Sequence, residues 1–131
     1  MILWNDLGNT DTVLYRAPVI YNEYKLFLSK TNSIKDHIIN KVIGNKKEDL
    51  YLTINKYPYD TREDVHHLII WDLSNNNYNN NDEQKLKYQL FAEKFFNPNY
   101  FDIIVRINKV EHQSIPDLKH CHLFLRLKDQ L

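Results

Sequence analysis

Residues 114–128 read SIPDLKHCHLFLRLK. At the two-residue period of a β-strand, this stretch sets His120, His122, Phe124 and Arg126 on one face and Cys121, Leu123, Leu125 and Leu127 on the other. The second face is suited to a core. The first is unusual, because the solvated side of an antiparallel sheet more often carries Thr, Lys or Glu. Residues 100–108, YFDIIVRIN, alternate just as sharply: Phe101, Ile103, Val105 and Ile107 point one way, and Asp102, Ile104, Arg106 and Asn108 the other. If the two strands pair, Arg106 and Asn108 share a face with His120 and His122. The connection KVEHQSIPDLK then puts His112, Gln113 and Ser114 at the rim of that face.

Upstream, DLYLTIN alternates Leu50, Leu52 and Ile54 against Tyr51, Thr53 and Asn55. The turn KYPYDTRED separates it from another strand, VHHLIIWDL. The tract SNNNYNNND is a solvated loop, and NDEQKLKYQLFAEKFF after it is a helix capped by Asn81 with Leu86, Leu90, Phe91 and Phe95 as its buried stripe. Nearer the N-terminus, the spacing of Ile20, Tyr24, Phe27 and Leu28 predicts a helix entered through Pro18. A second helix follows in SIKDHIINKVIG, capped by Asn32 or Ser33 and stopped at Gly44. The expected fold is α+β: an antiparallel sheet, two N-terminal helices and one helix inserted between strand pairs. Residues 1–131 form a single domain, with a helical part at 1–49 and an α+β part at 50–131.

Seventeen basic residues balance seventeen acidic ones, so no net field draws nucleic acid or anionic lipid, and any phosphate site has to be local. The single cysteine excludes an internal disulfide framework and a cysteine-based zinc site, and suits a reducing compartment. No window approaches the roughly 18 apolar residues of a membrane span. The expectation is a soluble, cytoplasmic protein without a membrane partner. Asn, Lys and Ile make up 42 of the 131 residues, a bias matching an AT-rich genome.

His, Arg, Asn, Gln and Ser on one face suit an anionic, hydrogen-bonding ligand such as a nucleotide, with an imidazole able to attack or move a proton at neutral pH. By spacing alone, a His-x-His strand is more often structural than catalytic. A three-histidine metal site from His67, His120 and His122 is conceivable as a minor alternative. It lacks an obvious carboxylate to orient the ligands, so no metal or cofactor is expected. Trp71 reads as core before it reads as a stacking platform, and Cys121 as inert core.

The run INKVEHQSIPDLKHCHLFLR resembles the C-terminal signature of the histidine-triad (HIT) nucleotide hydrolases and transferases, and LYLTINKYPYDTREDVHHLIIWDL resembles their preceding stretch. The likeness covers about residues 50–127. Over nearly the whole chain the sequence also resembles a fungal family called N-acetylglucosamine-induced protein 1, through NKYPYD, HLIIW, SIP and KHCHLF.

The HIT resemblance implies His120 as the nucleophile on an α-phosphate and His122 as the third triad histidine. It implies Gln113 and Ser114 at the leaving group and phosphate, Asn108 at phosphate or ribose, and Asn55 at the ribose. His67 matches both families and reads as a buried structural histidine before a ligand contact, and Arg106 or Arg126 is the expected phosphate contact of a binding module. The first triad histidine is replaced by Leu118, and the step from Gln113 to the histidines is one residue longer than the family pattern. The ligand implied is a nucleotide or nucleotide-containing small molecule, hydrolysed or transferred through a histidine. The alternative is a binding module for a nucleotide, RNA end or cap, with Trp71, Tyr57 and Tyr59 available for stacking. HIT proteins commonly dimerise, so the resemblance allows a homodimer.

Overall fold

The computed structural model describes residues 1–44 and 48–129; of the expected domain, 45–47 and 130–131 lie outside it. The elements are α1 (Trp4–Leu7), α2 (Pro18–Lys30), α3 (Ile34–His37), β1 (Leu50–Ile54), β2 (His66–Asp72), α4 (Asn81–Glu93), β3 (Phe101–Arg106) and β4 (His120–Leu127). The strands form one antiparallel sheet in the order β1-β2-β4-β3. Arg106 sits opposite His122, and Asp102 opposite Arg126, on the shared face expected from the alternation.

Local chemistry sets the element ends. Pro18 opens α2, where its missing N–H costs nothing. The Ser33 side chain accepts from the Asp36 N–H and starts α3. The chain then widens into a π-helical stretch, Ile38–Ile43, where a plain helix was expected; Gly44 ends it at φ 75°, a conformation that favours glycine. At α4 the cap is Asn80, which accepts from the Glu83 N–H, one residue before the expected Asn81.

Each face of the sheet carries a core. On one side α4 packs Tyr88 and Ala92 onto Ile70, Val105, Cys121, Leu123 and Leu125. Burying side chains of this size stabilises by about 1.5–3 kcal/mol each. The expected α4 stripe is corrected here: Leu86, Leu90 and Phe95 are 58%, 55% and 58% exposed. The helix is rotated so that the Tyr88 hydroxyl reaches Asp72, a buried carboxylate that also accepts from the Ser74 N–H, the Ser74 hydroxyl and the Tyr78 hydroxyl. Burial alone would raise the Asp72 pKa, but these hydrogen bonds outweigh it and hold the group below its ordinary value.

The opposite face, the one bearing the histidines, is covered by the N-terminal part. Ile38 of the π-helical stretch packs with Ile69, Trp71, Ile115 and Leu118. Ile2 and Leu7 pack with Tyr59 and Phe124. This burial explains the odd composition of that face: it is a second interior, and polar groups placed there must find partners within the fold. Among the described residues, no helix is long and apolar enough to cross a membrane.

Candidate functional site

Between the histidine face and its helical cover lies a cavity of about 180 Å³. Its floor is Thr53, Asn55, Ile69, Trp71, His120 and His122. Tyr24 and Phe27 of α2, together with His37 and Ile38, form the roof, and Arg16, Tyr57 and Ser114 close the sides. Lys56, Val42 and the 82%-exposed Ile54 mark the mouth.

The histidines form an ordered series. The Tyr59 backbone N–H donates to Nδ1 of His67 (3.2 Å), which assigns the His67 proton to Nε2. That N–H donates to Nδ1 of His122 (2.8 Å), leaving the His122 proton on Nε2, 3.5 Å from the Tyr59 hydroxyl. The Asn55 amide lies against the His67 ring and accepts the Tyr57 N–H. His67 and His122 are both 6% exposed. Burial, helped by the nearby positive charge of Arg16, pulls the His67 pKa down to about 3. The His122 pKa is also driven well down, first by burial and then by its histidine and arginine neighbours. Both rings are therefore neutral at physiological pH.

His120 is oriented differently. Its Nδ1–H donates to the Leu118 carbonyl (2.7 Å), so the lone pair resides on Nε2. Burial again lowers its pKa, against the opposing effect of that hydrogen bond. The ring lies 5.2 Å from Trp71 and 5.6 Å from His122, centre to centre. The site thus sets a nitrogen that can accept a proton or attack (His120) beside a ring whose two nitrogens are engaged by His67 and Tyr59 (His122). Among the described residues, no three His, Cys, Asp or Glu side chains are grouped so as to hold a metal ion; His67 and His122 turn their nitrogens toward each other instead.

The cavity brings together Asn55, Ser114, His120 and His122 of the expected residues, with His67 directly behind. It leaves out the others. Arg106, 1% exposed, donates to the carbonyls of Asp6, Leu7, Asn9 and Thr12 and to the Asn108 side chain, so its guanidinium is saturated by the N-terminal segment. Asn108 also donates to the Tyr59 hydroxyl, and Gln113 donates to the Asn108 carbonyl. Arg126 pairs with Asp102 and stacks over Trp4. Tyr59 is enclosed between histidine rings and is not free to stack on a ligand. Leu118, at the position of the first triad histidine, is buried among apolar neighbours.

Sequence reasoning missed Arg16. Its guanidinium lies over the rings of Tyr24 (4.0 Å) and Tyr59 (4.8 Å), and its Nε–H donates to the Tyr57 carbonyl. An arginine in the non-periodic segment before α2 carries no signal of its own.

An α+β domain with a histidine-floored cavity under a helical cover is the class these features define. The chain belongs to the family described as protein of unknown function (DUF3605), whose model matches residues 19–126. It also resembles the crystal structure of a protein called HTC1, with a TM-score of 0.60 and 15% identity over 88% of this chain and 77% of that one, a likeness of fold. No curated protein sequence matches the chain.

Proposed function

We propose that the cavity binds a nucleotide or a nucleotide-containing small molecule in a HIT-like manner, with a phosphate placed before His120. The state of His120 carries this reading: a neutral imidazole, one nitrogen fixed by a carbonyl and the other facing the cavity without a described partner. That is the form needed to contact, or attack, phosphorus. Leu118 in place of the first triad histidine, and Gln113 engaged with backbone, favour binding over turnover. The hydrolase or nucleotidyl-transferase reading rests on the free Nε2 of His120 alone, because His122 spends Nδ1 on His67 and Nε2 on the Tyr59 hydroxyl. In that chemistry the Nε2 of His120 bonds to phosphorus as the leaving-group bond breaks, and water or an acceptor then takes the nucleotidyl group.

Calorimetry with nucleoside monophosphates, dinucleoside polyphosphates and cap dinucleotides, followed by product analysis, tests both. Binding with mononucleotide release that His120→Ala abolishes establishes the enzyme. Binding without release leaves the binding module, and no binding by any of these ligands overturns the proposal.

A further inference from the structure

We infer that Arg16 is the anion-recognising residue of this cavity, and that the ligand presents a terminal phosphate monoester to it. The inference rests on the nucleotide reading above and assigns its charged end. Two cationic side chains, Arg16 and Lys56, line the cavity beside three histidines, His37, His120 and His122, and no carboxylate does. The chain as a whole has seventeen Lys and Arg against seventeen Asp and Glu, so a lining with two cations and no carboxylate departs from its average.

Arg16 is held without being neutralised. Its Nε–H is fixed on the Tyr57 carbonyl and its plane on two tyrosine rings, while its terminal nitrogens have no partner among the described residues. The terminal nitrogens stay within reach of solvent, and so of an entering anion. The fixed plane presents two parallel N–H groups, the fork that suits phosphate oxygens.

The cavity is polarised along the strands. Arg16 and Asn55 stand at the Tyr59 end; Trp71, Ile38 and Ile115 form an apolar wall at the other. A ligand whose phosphate lies between Arg16 and His120, both on the cavity wall, and whose flat or apolar group lies along Trp71 suits this lining. Because Arg16 comes from the segment before α2, the N-terminal part helps select the ligand as well as covering the sheet.

The test compares a nucleoside monophosphate, the matching nucleoside and inorganic phosphate on wild type, Arg16→Gln and Arg16→Lys by calorimetry, with circular dichroism to check folding. The expected result is that Arg16→Gln weakens the monophosphate roughly ten- to hundredfold, the range for a lost hydrogen bond to a charged group, and leaves the nucleoside unchanged. Arg16→Lys should restore only part, since an ammonium lacks the fork. A variant that merely loosens the fold weakens both organic ligands alike, and that outcome overturns the inference. Equal monophosphate affinity in wild type and Arg16→Gln also overturns it, while the nucleotide reading survives. If inorganic phosphate binds in an Arg16-dependent way and no nucleotide binds, the anion site stands and the nucleotide reading falls. No binding of any probe to wild type removes both.

Discussion

The same four strands build two unlike interiors. Toward α4 the sheet offers Ile70, Val105, Cys121, Leu123 and Leu125, a face that needs only apolar cover. Toward the N-terminal part it offers His67, His122 and Arg106, each buried and each hydrogen-bonded to a particular partner. The first kind of interior is non-directional, roughly proportional to area, and tolerant of exchange among apolar residues. The second depends on direction, because a buried polar group without its partner costs about 1–3 kcal/mol. Placing both on one sheet separates holding the fold together from shaping a cavity.

The largest effects should come from the centres of the two interiors. Leu123→Ala on the α4 side should cost about 2–5 kcal/mol in urea denaturation and leave the N-terminal segment docked. Arg106→Ala on the other side should cost about 3 kcal/mol, since it orphans several carbonyls at once. It should also expose the amides of residues 1–16 to hydrogen exchange ahead of those in β4. Equal exchange in the two variants would break the contrast between the faces.

A middle-sized effect should appear on acidification. The His67 pKa is lowered in the fold, so the unfolded chain binds a proton below about 6.5 that the folded chain refuses until about 3. Stability therefore rises with pH across that window and levels off above it. One such group gives a slope of up to about 1.4 kcal/mol per pH unit. His67→Gln should reduce the slope by that amount in denaturation series run from pH 4 to 7, and an unchanged slope would mean the ring is protonated in the fold.

The smallest effect is expected outside both interiors. Leu86→Ser, on the exposed side of α4, should change stability by less than about 0.5 kcal/mol. A loss above 2 kcal/mol would show that the helix is rotated toward the stripe its sequence suggests.

These outcomes track what the sequence makes legible. The side on which each β3 and β4 residue stands follows from strict alternation, while the pairing of the two strands is supplied by the fold. The helix α4 was legible as a helix but not in its rotation. Counting apolar residues selects Leu86, Leu90 and Phe95, whereas Asp72 draws Tyr88 inward by a hydrogen bond that hydrophobic periodicity does not register. His120 and His122 were singled out by strand spacing, Ser114 by its place in the adjoining loop and Asn55 by the HIT resemblance, and all four line the cavity. Arg106, Asn108 and Gln113 also suit anions, and their long-range partners were not visible: the carbonyls that Arg106 holds lie in a segment with no periodic pattern. Arg16 was hidden for the same reason.

The Arg106 clamp also orders events in time. The carbonyls it gathers lie 94 to 100 residues away along the chain, so the cover cannot lock until β3 is in place. At about 5–20 residues per second of synthesis, the N-terminal segment waits on the order of 5–20 s for this partner. Closing so long a loop requires the sheet to assemble first and repay the entropy. The histidine cavity is therefore a late product of folding, absent from any intermediate in which only the α4 side has formed.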